Sequence, residues 1–228
     1  MLGTLYIVAT PIGNLGDISA RALETLKSVD YILSEDTRRQ RILLDHYAIK
    51  KLVISYHQHS SDAKKDEILL DLLNGKKLAL VTDAGTPGVS DPGNELIDYL
   101  LSKDPNILVV PIPGPSSITT ALSVCGFKAG EFVFLGYAPK KGRTKFLDEI
   151  KTSSRTVVFF ESPYRLLKLI DKLEKEIGSE KRICVCQELT KMHERVLRGT
   201  FSEVKEILIT EEKELGRVKG EIVVILAS

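Results

Sequence analysis

The sequence predicts an α/β chain of two units: an N-terminal one on a mostly parallel sheet and a C-terminal one on a mixed sheet with helices. Three features predict it. Apolar, β-branched runs alternate with amphipathic segments through the first half, the pattern of βαβ units. The segment "CGFKAGE", residues 125–131, breaks that rhythm with two glycines and a charge pair and reads as the domain junction. Beyond it, two strand-like runs are separated only by "QELTKMHE", a gap suited to a hairpin rather than a crossover. The expected domains are therefore residues 1–125 and 126–228.

In the first half the strand runs are Thr4 to Thr10, Asp30 to Ser34, Leu52 to Tyr56, Leu78 to Thr82 and Ile107 to Ile112. Between them, Ser19 to Ser28, Thr37 to His46, Asp62 to Leu73 and Asn94 to Leu101 have helical spacing, with Ser19 and Asp62 placed to act as N-caps. A fifth helix is expected from about Ser116 to Val124. In the second half the strand runs are Phe132 to Tyr137, Thr156 to Phe160, Arg182 to Cys186, Arg195 to Arg198 and Ile222 to Leu226. Helices are expected at about Thr144 to Lys151, Tyr164 to Ile177 and Ser202 to Thr210.

Composition bounds the function classes. The chain has 228 residues, 43% of them hydrophobic, enough for a proper core. Its 32 Lys and Arg nearly balance 31 Asp and Glu, so nucleic acid would have to be met by local patches. Cys125, Cys184 and Cys186 form an odd set with no C-x-x-C, which argues for neither a disulfide framework nor a zinc ribbon. No apolar run reaches the roughly 18 residues of a membrane span, and the N-terminus does not read as a signal peptide, so a cytoplasmic protein is expected.

In a parallel α/β sheet, ligands sit outside the carboxyl ends of the strands. Three Gly- and Pro-rich loops fall there: "TPIGNLGD", "TDAGTPGVSDPG" and "PIPGPSSITT". Together they hold Asp17, Asp83 and Asp91 but no Lys or Arg, which fits a neutral or cationic ligand such as S-adenosylmethionine better than a polyphosphate. In "SEDTRRQR", Glu35 and Asp36 lie about 20 residues beyond the first loop, where an acidic side chain grips a ribose in Rossmann-type sites; Asp36 equally suits a helix N-cap.

Seven segments in order, "TLYIVATPIGNLGDISARALETLKSVDYILSEDTR", "LALVTDAGTPGVSDPG", "PIPGPSSITTALSVCG", "FLGYAPKK", "ESPYRLL", "QELTKMHERVLRGT" and "KGEIVVI", resemble the 16S ribosomal RNA cytidine 2'-O-methyltransferases of the tetrapyrrole methylase superfamily. The resemblance runs from Thr4 to about Leu226. It implies a tetrapyrrole-methylase-like fold, usually a homodimer, holding S-adenosylmethionine between its domains and methylating the ribose of a decoding-centre cytidine in the small ribosomal subunit. It further implies cofactor contacts at Pro11, Asp83, Ala84, Gly85, Thr86, Val89, Ser116 and Ser117 of the loops, and at Glu161, Leu189 and Gly220 of the second domain. Two positions depart from the common pattern: Gln187 stands where Arg is usual, and Tyr164 where His is frequent. The chain stops after its last strand where several relatives continue, so RNA docking is expected to rest on the core or the dimer.

Methyl transfer needs alignment, no metal, and a base for the hydroxyl proton, for which Asp36, Glu35 and Glu188 are the candidates. Two basic clusters could meet RNA phosphates: Arg38 and Arg39 with Arg41, and Lys140, Lys141 and Arg143 with Lys145. Arg165 and Arg198 could add to them. His57 and His59 have strand spacing but no third ligand, and Cys184 and Cys186 alternate with apolar residues as core positions do. A tetrapyrrole methyltransferase and a noncatalytic nucleotide- or RNA-binding module are the alternatives.

Overall fold

The computed structural model describes residues 2–91, 93–215 and 220–228. It forms two compact units, Met1–Ser116 and Ser117–Ser228. The first contains β1 (Thr4–Val8), α1 (Ala20–Ser28), β2 (Tyr31–Ser34), α2 (Thr37–His46), β3 (Leu52–Ser55), α3 (Asp62–Leu73), β4 (Lys77–Val81), α4 (Asn94–Lys103) and β5 (Leu108–Ile112). Its five strands are all parallel, in the order β3-β2-β4-β1-β5.

Strand alternation sorts the side chains onto two buried faces. Leu5, Ile7, Leu33, Leu78 and Leu80 pack with Ile68 and Leu72 of α3 and Leu96 and Leu100 of α4. Val8, Ile32, Ala79, Val81 and Ile112 pack with Ala22 and Leu26 of α1 and Leu43 and Leu44 of α2. The two helix pairs lie on opposite faces because right-handed crossovers run one way from β1 and β2 and the other way from β3 and β4. Neighbouring β1 and β4 thus send their chains to opposite faces, which makes the gap between their carboxyl ends a topological switch point.

The helices start where the chain supplies caps. The Ser19 hydroxyl accepts from the Ala22 N–H at 3.1 Å, and Asp36 caps α2 through the Arg38 N–H at 2.9 Å. For α3 the cap is Ser61, one residue before the expected Asp62. A serine hydroxyl fills the role, and Asp62 moves into the first turn, where its charge meets the positive end of the helix dipole.

The second unit contains α5 (Ser117–Cys125), β6 (Phe132–Tyr137), α6 (Thr144–Thr152), β7 (Thr156–Glu161), α7 (Pro163–Ile177), β8 (Arg182–Gln187), β9 (Arg195–Thr200), α8 (Phe201–Leu215) and β10 (Ile222–Leu226). The sheet order is β6-β7-β10-β8-β9; β6 and β7 are parallel, and the remaining pairs are antiparallel, with β8 and β9 forming the hairpin. The units divide at Ser116/Ser117 rather than near residue 125, because α5 packs on β9 and β10. The Arg198 Nε reinforces this by donating to the Val124 carbonyl at 2.8 Å. The core gathers Phe159, Phe201, Leu166, Leu169, Val185 and Val224, with Phe146 edge-on to Phe159 at 5.2 Å between ring centroids. Cys184 and Cys186 are buried with sulfurs 3.8 Å apart. Among the described residues no helix is long and apolar enough to cross a membrane.

Removing the fully buried Phe159 ring by Phe159→Ala is expected to cost about 3–5 kcal/mol, and Ser19→Ala about 1 kcal/mol through the lost cap. Both are read from denaturant unfolding of the purified chain.

Candidate functional site

At the switch point the loops after β1, β4 and β5 are hydrogen-bonded into one edge. The Thr10 N–H donates to the Gly85 carbonyl at 2.9 Å and the Gly85 N–H returns a bond to the Thr10 carbonyl at 3.0 Å. The Thr10 hydroxyl also donates to the Thr82 carbonyl at 3.3 Å. On the other side of β1, the Ala9 N–H donates to the Ile112 carbonyl at 3.1 Å, and the Thr86 hydroxyl reaches the Pro115 carbonyl at 3.3 Å.

Glycines permit this closeness. Gly85 has φ +84°, a left-handed conformation that side chains resist. A Cβ on Gly114 would lie 3.0 Å from that of Ala9, so the third loop can approach β1 only without a side chain. Pro11, Ala84, Thr86 and Ser116 are partly exposed along this edge, and Val89 presents an apolar surface to solvent.

A fourth loop joins from β2. The Asp36 N–H donates to Asp83 Oδ1 at 3.2 Å, which the pairing of β2 with β4 makes possible. Arg38 holds the Asp36 carboxylate through Nε at 3.1 Å and Nη2 at 2.9 Å. Those bonds from the Arg38 side chain, with its backbone N–H, pull the Asp36 carboxyl down to about 2. Arg39 lies 3.4 Å from Asp83 Oδ2. Both arginines thus spend part of their charge on this acidic edge, although their side chains are exposed.

Asp91 behaves differently. Burial, then the nearby carboxylates of Glu35 and Asp83, push its carboxyl up to about 6, while a hydrogen bond with Thr82 works in the opposite sense. Its sequence position shows it only as one loop charge; its neighbours become visible once β2 is placed beside β4. The Asp91 carboxyl is thus shifted in the opposite sense to that of Asp36.

The second unit presents its own predicted residues. Glu188 and Thr190 both have positive φ, 51° and 68°, so the segment after β8 is a strained knuckle around the buried Leu189. Its braces are the Glu221 N–H on Glu188 Oε1 at 2.8 Å and Lys191 Nζ on the same oxygen at 2.9 Å. Gly220 has φ +88°, and a Cβ there would run into the Glu188 side chain. Burial raises the Glu188 carboxyl, but the Glu221 N–H and Lys191 together hold it below the ordinary value, which weakens it as a base.

Glu161 is fully buried at the end of β7, and its carboxylate faces two arginines, although Oε2 makes no hydrogen bond. Oε1 accepts from Arg165 Nη2 and from the Ser162 N–H, each at 2.5 Å, and Oε2 lies 3.6 Å from Arg143 Nη2. Arg165 comes from the first turn of α7 and Arg143 from the loop before α6. Lys140 and Lys141 are exposed beside it. Ser117 is the first residue of α5. His57 and His59 lie in a turn beyond β3, not on a strand, with the His59 N–H donating to His57 Nδ1 at 3.2 Å. Among the described residues no group of three or more His, Cys, Asp or Glu is arranged to hold a metal.

Residues 4–205 match the Tetrapyrrole (Corrin/Porphyrin) Methylases family. The chain is 43% identical over 227 residues to the ribosomal RNA small subunit methyltransferase I of Thermotoga maritima, covering 99% of each chain. It is 42% identical over 228 residues to the protein of the same name from Synechocystis, covering 99% of this chain and 79% of that one. Among solved structures, the methyltransferase CobJ superposes with a TM-score of 0.72 at 14% identity, covering 99% and 94% of the two chains. The uroporphyrin-III C-methyltransferase of Thermus thermophilus complexed with S-adenyl homocysteine superposes with a TM-score of 0.68 at 16% identity, covering 99% and 98%. At these identities the structural likeness speaks for the fold.

Gly85→Ala is expected to destabilise the chain by about 1–2 kcal/mol through left-handed backbone strain. The new Cβ meets only ordinary contacts, Ile12 Cγ2 at 3.6 Å and the Pro115 carbonyl at 3.8 Å. Thermal unfolding of the variant against the parent chain measures it.

Proposed function

Because this chain belongs to the tetrapyrrole methylase family, and within it to the ribosomal RNA small subunit methyltransferase I family, we propose that it transfers a methyl group from S-adenosylmethionine to the ribose 2'-hydroxyl of a decoding-centre cytidine in 16S rRNA. The observation that carries this reading is the joined edge at the β1/β4 switch point, whose loops offer backbone groups, Asp83 and Asp91 but no cation of their own. That donor set fits a sulfonium. When bound, S-adenosylmethionine supplies a methyl carbon activated for in-line displacement by the ribose oxygen, with the sulfur keeping the electrons of the broken bond.

Pro11, Asp83, Ala84, Gly85, Thr86, Val89 and Ser116 are the proposed cofactor residues of the first unit; Ser117, Leu189 and Gly220 are those of the second. Glu161 has its carboxylate committed to arginines, so its proposed part is to hold them and to offer only backbone to a ligand. The chain's task is alignment, and the bridged loops provide it by fixing the edge before the ligand arrives. The hydroxyl proton goes to a carboxylate, and Asp91, with Glu35 beside it, is the proposed acceptor. Asp36 is the cap of α2 and Glu188 the brace of the knuckle. Arg38, Arg39, Lys140, Lys141, Arg143 and Arg165 are the proposed RNA contacts, in a homodimer working in the cytoplasm.

The test is to incubate the chain with labelled S-adenosylmethionine and small ribosomal subunits lacking the modification, then map any 2'-O-methyl group. A labelled cytidine ribose is expected. Transfer to a free tetrapyrrole and not to RNA contradicts the proposal, and cofactor binding without any transfer identifies a noncatalytic module.

The pH dependence follows from Asp91. A carboxyl raised to about 6 is protonated below that value and able to accept a proton above it. Single-turnover methyl transfer is therefore expected to rise with pH through about 6 and then level off. Asp91→Asn should lower the plateau by about a hundredfold or more while leaving S-adenosylhomocysteine binding in place. A parental rate in that variant rules Asp91 out as the base.

A further inference from the structure

The carboxyl ends of the parallel pair β6 and β7 in the second unit collect features that cofactor chemistry does not use. Tyr137 and Tyr164 are 64% and 70% exposed as residues. Tyr137 is in register with Phe160, the residue before Glu161, and its ring leans on the Phe160 ring at 5.1 Å. Tyr164 is in the first turn of α7, three residues beyond Glu161. Both rings thus stand at one sheet edge, where α6 and α7 also begin and turn their positive ends outward.

The charge at this edge is positive and fixed. Two guanidiniums share the one buried carboxylate of Glu161, leaving a surplus positive charge. Arg143 is further anchored by its Nε, which donates to the Pro139 carbonyl at 2.7 Å. Arg165 Nη1 is buried with a hydrogen it donates to no acceptor. The neighbouring Glu161 Oε2 is likewise buried without a hydrogen bond, so the two side chains meet as charges more than as a fully bonded pair. Lys140 and Lys141 extend the positive surface along the same loop.

We propose that this edge is a track for single-stranded RNA, with bases stacked on Tyr137 and Tyr164 and phosphates held by Arg143 and Arg165 on the buried Glu161. Flat rings interleaved with fixed cations are what an unpaired strand requires, since every base has a stacking face and every linkage a negative charge. A duplex hides its bases and would use only the cations. Glu161 is then a positioning residue: it touches no RNA but fixes where the guanidiniums sit. The proposal rests on the RNA-methylating reading above and names the form in which the strand is gripped.

Fluorescence anisotropy with a labelled twelve-nucleotide pyrimidine RNA, single-stranded or annealed to its complement, tests this on the full chain. Tyr137→Ala and Tyr164→Ala are each expected to raise the single-strand Kd about tenfold and to leave duplex binding nearly unchanged, with Tyr→Phe at either position restoring affinity. Arg165→Gln should reduce the salt slope by about 0.7. Glu161→Gln should weaken binding without reducing that slope, as a positioning role requires. Circular dichroism and thermal unfolding of each variant confirm a folded chain.

Single-strand affinities within twofold of the parent in both tyrosine variants overturn the track, as does an equal loss on duplex or a shift in oligomeric state that accounts for the loss. If the parent chain methylates small subunits while the tyrosine variants bind as it does, this inference fails and the methyltransferase reading stands; if the parent methylates no RNA, that reading fails first.

Discussion

The pair of backbone hydrogen bonds between Thr10 and Gly85 is the constraint on which the first unit's site depends. It lies where β1 and β4 send their chains to opposite faces of the sheet, the one place in this topology where two loops leave a crevice rather than a covered edge. Only a residue at ease with φ +84° can close it, which is why a glycine sits in the middle of the loop after β4. With that bridge in place, the Thr10 hydroxyl, the Thr86 hydroxyl and the end of β5 have fixed partners.

Electrostatics adds a second layer. The three loops themselves carry acids and no bases, yet the edge is not left bare: Arg38 pairs with Asp36, the cap of its own helix, and Arg39 reaches across to Asp83. That leaves Asp91, which the burial and repulsion described above keep closer to its neutral form than an ordinary carboxyl. Carboxylates on the loops that follow neighbouring strands are thus shifted in opposite senses, Asp36 down by its arginine and Asp91 up by its surroundings.

Much of this was legible in the residues. The strand and helix runs appear within a few positions of where they were expected, since buried strands and amphipathic helices write their periods directly into the chain. The mixed second sheet was legible too, from the short gap before Arg195. What the residues could not carry were relations between distant segments. The assignment of α5 to the second unit depends on its packing against β9 and β10. The proton affinity of Asp91 depends on β2 lying beside β4. The commitment of Glu161 to Arg143 depends on a loop bending back across a sheet edge. Ser61 displaced Asp62 as a cap because two good capping residues stand side by side and sequence alone does not choose between them.

The most direct measurement of the central claim, that the bridged edge of the first unit holds the methyl donor, is amide hydrogen exchange with and without S-adenosylhomocysteine. Slower exchange concentrated in residues 10–17, 82–91 and 113–117 is the expected result, because the ligand would occupy the amides those loops present and damp the opening of the Thr10 and Gly85 bridge. Unchanged exchange in all three loops, with protection elsewhere in the chain, would contradict it.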